Sequence, residues 1–133
     1  MSGERDLGRL LAHLAPNPDP ALYVFATLTM PLPQGCDPLM IFHETEGTTV
    51  ILRADEARRL GLEDRPAFRR IVLTVHSSLE AVGLTAAVAV ALTAEGISAN
   101  VVAAFHHDHI FVPADRAQEA MACLAALSSR GAG

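Results

Sequence analysis

Leu7, Leu10, Leu11 and Leu14 recur at the spacing of one helix face, so the chain is expected to open with an amphipathic helix. Pro16, Pro18 and Pro20 end it, since proline cannot continue the hydrogen-bond ladder. Leu22 to Leu28 is rich in strand formers, with Tyr23, Val24, Phe25 and Thr27. A proline-bearing loop, Pro31 to Gly35, follows. Leu39 to Phe42 and Thr48 to Leu52 read as two strands joined by a turn near Glu46-Gly47. Ala54 to Leu60 is a short helix with Gly61 placed to cap its end. The charged stretch Glu63-Asp64-Arg65-Pro66 is the expected boundary, dividing the chain into halves 1–65 and 66–133.

The second half opens on Arg70 to Val75, where Ile71, Leu73 and Val75 alternate with Arg70, Val72 and Thr74, the period of a strand. Ser77 with Glu80 has the spacing of a capping box, which predicts a helix from there to about Glu95, stopped by Gly96. Ile97 to Phe105 is the next strand. His106-His107-Asp108 is a tight turn, and His109 to Val112 returns as a third strand. Pro113 ends it, Asp115 is expected to cap a last helix, and Ala117, Ala120, Met121 and Leu124 form that helix's apolar stripe. The order is β-α-β-β-α with the closing strand missing, because Ser-Ser-Arg-Gly-Ala-Gly makes a poor strand. The first half lacks its own opening strand. The expected fold is therefore α+β, two ferredoxin-like (βαββαβ) halves with antiparallel sheets and helices on one face. One half is expected to supply a strand that the other lacks.

Between Ala81 and Ala94 the helix carries almost no charge. Leu84, Val88, Ala91 and Leu92 form a core stripe, yet Ala86, Ala89, Val90 and Thr93 on the other side are hardly more polar. A helix apolar all round is normally covered on both sides, so its second cover is either the amino-terminal half or another copy of the chain, and a homodimer is expected.

Composition removes several functions. Ten Lys and Arg against fifteen Asp and Glu leave a net charge of −5, so no basic surface is available to neutralise a nucleic-acid backbone. Five Phe, one Tyr and no Trp offer no stacking platform for bases. No apolar run approaches the roughly 20 residues of a membrane span, and the polar start does not lead into a secretory core. Two distant cysteines, Cys36 and Cys123, make neither a disulfide framework nor a metal knuckle. These features fit a cytoplasmic protein with half its residues apolar and a real core. Phosphate-cradling glycine loops, nucleophile elbows and HExxH are missing, so no enzyme activity and no cofactor are expected. Cys36 fits a small apolar filler beside a proline turn better than a nucleophile.

Two stretches carry candidate chemistry. A helix start with unpaired N–H groups suits a carboxylate, and Gly83 removes a side chain where a ligand must come close. Ser77 and Ser78 can donate or accept hydrogen bonds. Asn100 places an amide in a strand otherwise made mostly of Ile, Ala and Val, where it needs a partner. Glu80 or Asp108 can hold an ammonium. The second stretch is His106-His107-Asp108-His109, in which His107 and His109 point the same way along an extended chain and can share one metal ion. The plainer reading is a polar turn.

The stretches Ser78-Leu79-Glu80-Ala81-Val82-Gly83-Leu84 and Ala94-Glu95-Gly96-Ile97-Ser98 resemble an ACT domain: a strand, a loop with a glycine before an aliphatic residue, a helix, and a Gly-Ile pair opening the second strand. Leu28 to Phe42, the Glu46-Gly47 turn, Val75 to Leu84 and His107 to Pro113 extend the likeness over nearly the whole chain. Together they resemble the small bacterial tandem-ACT proteins. That resemblance implies two such halves, often dimeric, and a regulatory module that binds an amino acid or similar small effector. It places the ligand at His76, Ser77, Ser78, Leu79, Val82, Gly83 and Leu84, with Asn100 and Val101 of a neighbouring unit across from them. The chain departs from the pattern at Glu80-Ala81-Val82, where ACT loops often carry Pro-Gly, and in its missing last strand. Amino-acid binding is thus the first expectation. A metal-binding hairpin and a ligand-free interaction module are the alternatives.

Overall fold

The computed structural model describes residues 6–62, 64–75 and 82–132. Its elements are α1 (Leu7–Ala12), β1 (Pro16–Leu28), β2 (Met40–His43), β3 (Thr48–Arg53), α2 (Ala54–Arg59), β4 (Phe68–Leu73), α3 (Leu84–Ala94), β5 (Asn100–Ala103), β6 (Asp108–Pro113) and α4 (Ala117–Ala132), with a 3-10 turn over Ala114–Arg116. They group into two compact units, Met1–Asp19 with Arg69–Gly133, and Pro20–Phe68.

In the larger unit the strand order is β1-β4-β6-β5, with β1 present through its first residues. The place beside β4 that a closing strand of the second half would fill is therefore taken by residues from the first half. The expected loan of a strand is made by the proline segment, which the sequence pattern left outside β1. Alternate residues of a strand direct their backbone groups to opposite edges. Pro16, Pro18 and Pro20 share one parity, so the donors they lack all fall on one edge. At the head of the strand the Ala15 carbonyl accepts from the Thr74 N–H at 3.2 Å and from the Thr74 hydroxyl at 2.7 Å.

One core fills this unit. Ile71, Leu73, Ile110 and Val112 from the sheet meet Leu10 and Leu14, Leu84, Val88 and Leu92 of α3, and Ala120, Leu124 and Leu127 of α4. The short α1 starts at Asp6, whose carboxylate accepts from the Arg9 N–H at 3.0 Å, and it packs on α4. α3 begins at Leu84, later than the Ser77-Glu80 box predicts. Gly83 stands before it at φ 98°, which a residue inside a right-handed helix cannot adopt. At its other end Gly96, at φ 70°, lets the Ile97 N–H reach back to the Leu92 carbonyl at 3.0 Å. The outer face of α3 is open in the single chain, with Val90 69% exposed. β5 is shorter than expected. Asp115 lies inside the 3-10 turn, not before the helical segment, and that turn begins after Pro113 without a side-chain cap. The carboxyl end continues as helix to Ala132.

The smaller unit has the order β2-β3-β1, antiparallel throughout, with Tyr23 opposite Arg53 and Met40 opposite Ile51. Val24, Ala26, Val50, Leu52 and Ala57 make its core. The Glu44–Gly47 turn closes with the Glu44 N–H donating to the Gly47 carbonyl at 2.9 Å. α2 ends as expected, with the Leu62 N–H on the Ala57 carbonyl at 2.8 Å.

Candidate functional site

The turn from β4 to α3 is the expected ligand loop. Its residues His76, Ser77, Ser78 and Leu79, and the capping pair Ser77-Glu80, lie outside the described residues. Val82 is 82% exposed. Gly83 takes the N-cap position of α3 and, having no side chain, makes no cap bond to the first turn. A Cβ on Gly83 would stand 3.1 Å from the Leu7 Cδ2 atom, so α1 lies directly behind the turn. Leu84 is buried in the core and presents only its backbone to the turn.

Asn100 and Val101 lie elsewhere in the same unit. The helix between Gly83 and β5 has eleven residues, about 16 Å at its usual rise, and Asn100 opens the strand after the helix's far end. Asn100 is exposed and stands opposite Phe111, while Val101 leans on the core. One unit therefore does not bring Asn100 to Gly83.

The histidine hairpin does come close. The turn after β5 closes with the Ala104 N–H on the His107 carbonyl at 3.1 Å, and His107 Nδ1 lies 3.4 Å from the carbonyl of Val75, the last described residue before the loop. Phe105, exposed, meets His106 edge-on at 5.0 Å between ring centroids. Sequence spacing alone did not assign this aromatic tip to the loop; the antiparallel neighbours β4 and β6 do.

His109 has a different environment. Its Nδ1 is 3.5 Å from Arg70 Nη1, and Arg70 is held by Asp19 through Nη2 at 2.6 Å and Nε at 3.1 Å. Burial first, then the Arg70 charge, then His107, push the His109 imidazole below its ordinary pKa. A guanidinium beside the ring opposes a metal cation there, and among the described residues no group of three or more His, Cys, Asp or Glu converges on one point. Cys36 is no activated thiol: burial and the neighbouring Glu56 carboxylate push it up. Cys123, likewise raised by burial, donates to the Ala91 carbonyl at 3.2 Å.

Among the described residues no helix is long and apolar enough to cross a membrane. Among curated proteins, none matches this chain. A solved structure from Vibrio cholerae, a protein of unknown function described as a possible transport protein, is 45% identical, covering 88% of this chain and 92% of its own, with a TM-score of 0.80. The regulatory subunit of aspartate kinase from Thermus thermophilus, in its ligand-free form, is only 10% identical over 84% of this chain and 95% of its own, and its TM-score of 0.60 shows a shared fold. Family models described as ACT domain match residues 2–69 and again residues 69–126. The α+β fold, the strand order of each unit and these two consecutive matches agree: the chain belongs to the ACT-domain family and carries two such domains in tandem.

Proposed function

We propose that this protein is a cytoplasmic regulatory module, not an enzyme, which binds a free amino acid at the β4–α3 turn. The observation that carries this reading is Gly83, whose left-handed backbone stands at the open start of α3 with Val82 exposed beside it. The helix start holds the carboxylate through its N–H groups and the positive end of its dipole. The likeness to ACT loops assigns His76, Ser77, Ser78 and Leu79 to the same ligand. Asn100 and Val101 come from the corresponding unit of a second copy, since Asn100 of the same unit sits beyond the far end of α3. The effector site is thus completed by a homodimer, and each half, 1–65 and 66–133, acts as one ACT repeat. No metal and no cofactor take part.

A thermal-shift panel of the common amino acids tests this. A ligand at about 100 times its dissociation constant adds roughly 2.7 kcal/mol, on the order of ten degrees in a chain of this size. One amino acid is expected to give that shift, and Val82→Glu, a substitution at an exposed position, is expected to abolish it. If no amino acid shifts the melting temperature, or if the shift survives in Val82→Glu, the reading fails. A sedimentation experiment that finds only monomer with effector bound removes the shared site.

A further inference from the structure

The helix layer of the larger unit carries an open groove of about 530 Å³ between α3 and α4. The two helices run antiparallel. Just before α4 the Arg116 guanidinium donates to the Glu95 carbonyl at 3.0 Å, and further along α4 the Cys123 thiol donates to the Ala91 carbonyl at 3.2 Å. Glu119, Ala122, Ala126 and Arg130 lie at i, i+3, i+7 and i+11, one stripe of α4, and line the groove together with Ala91, Ala94 and Glu95. Arg130 follows Cys123 by about 10 Å of helix, which sets it level with the start of α3, while Glu95 ends α3.

The groove is therefore charged only toward its ends, and the signs differ. Glu119 is already held by Arg116, Nε to Oε1 at 2.6 Å and Nη2 to Oε2 at 3.0 Å. Among the described residues neither the Glu95 carboxylate nor the Arg130 guanidinium forms an ion pair. α3 itself has no charged residue from Leu84 to Ala94, and Val90, near its middle, is exposed on the outer side. Whatever covers this face meets small apolar side chains in the centre, an acid at one end and a base at the other. A second copy of the same face answers all three when the two α3 helices run in opposite directions.

We infer that the α3–α4 face is where two copies of this chain pair, about a two-fold axis that passes close to Val90. The partner's Glu95 then stands at Arg130 and the partner's Arg130 at Glu95, so both ion pairs form at once, as a self-complementary contact requires. A parallel arrangement sets Glu95 against Glu95 and is opposed by charge. The inference rests on the homodimer of the reading above, names the face that makes it and needs no effector.

The test is sedimentation of the full chain, with no amino acid present, from about 1 to 100 μM. The unchanged protein is expected to dimerise, and Val90→Glu to weaken the dimer at least about thirtyfold, because it sets two like charges at the axis. Glu95→Arg and Arg130→Glu are each expected to weaken it about threefold or more, and the double variant to recover most of that loss. Both of those positions are exposed, so the exchange reads the same face without touching its apolar centre. A monomer throughout, a dimer unmoved by Val90→Glu, or a double variant no tighter than either single change overturns the inference. A dimer unmoved by Val90→Glu pairs through another face and leaves the effector reading standing. A dimer that responds as expected but shows no thermal shift with any amino acid removes the effector reading alone.

Discussion

Gly47 and Gly83 look interchangeable in sequence, and the structure gives them different costs. A Cβ at Gly47 would lie 2.7 Å from the Thr27 hydroxyl and 2.9 Å from the Leu28 carbonyl oxygen, and that backbone is held in the β1–β3 ladder. Gly47→Ala is expected to destabilise the protein by about 2 kcal/mol in urea unfolding, since overpacking against a fixed backbone cannot relax. At Gly83 the neighbour is the tip of a flexible Leu7 side chain, so the cost is conformational, about 1 kcal/mol for Gly83→Ala. His109 adds a pH dependence. Its folded pKa is depressed, so the unfolded chain binds the proton more readily. Its contribution to stability is complete above the ordinary value of 6.5 and declines as the pH falls from there. Its ring resonances are expected to titrate below that of a model histidine. In His109→Asn the loss of stability between about pH 7 and pH 5 is expected to be smaller. A ring titrating at or above 6.5 would contradict this.

The elements depend on tertiary contact to very different degrees. α1 has only six residues, too few to be stable as an isolated helix. It persists because Leu10 and Leu14 are buried with α4. Leu10→Ala is expected to cost about 3 kcal/mol, read from the urea midpoint at constant slope. A cost below about 1 kcal/mol would mean that α1 does not pack as described. α3 and β6 were legible from their apolar periods, and the ends of α2 and α3 from their glycines, because these signals are local. Two signals misled. Proline at positions 16, 18 and 20 reads as a breaker, yet alternate prolines are tolerated in a strand when all the missing donors fall on one edge. The Ser77-Glu80 spacing read as a helix start, but the backbone at Gly83 requires the helix to begin at Leu84.

For the whole molecule the two units differ in how much they bury. The larger has sheet residues enclosed by α1, α3 and α4, whereas the smaller relies on Val24, Ala26, Val50, Leu52 and Ala57 with the one-turn-and-a-half helix α2. Local opening free energy follows buried apolar contact. Hydrogen exchange is therefore expected to be faster in β2 and β3 than in β4 and β6, by about tenfold or more under native conditions. Equal protection in the two units would show that they open together.

The order of helices and strands and the two-repeat design were determined by the sequence alone, since apolar period and glycine caps act through near neighbours along the chain. Which strand fills the missing place beside β4, that the histidine tip leans on Val75, and that Glu95 and Arg130 line one groove were decided only by the tertiary structure. These pairings join Ala15 to Thr74, Val75 to His107 and Ala91 to Cys123, and no periodicity carries information across such separations.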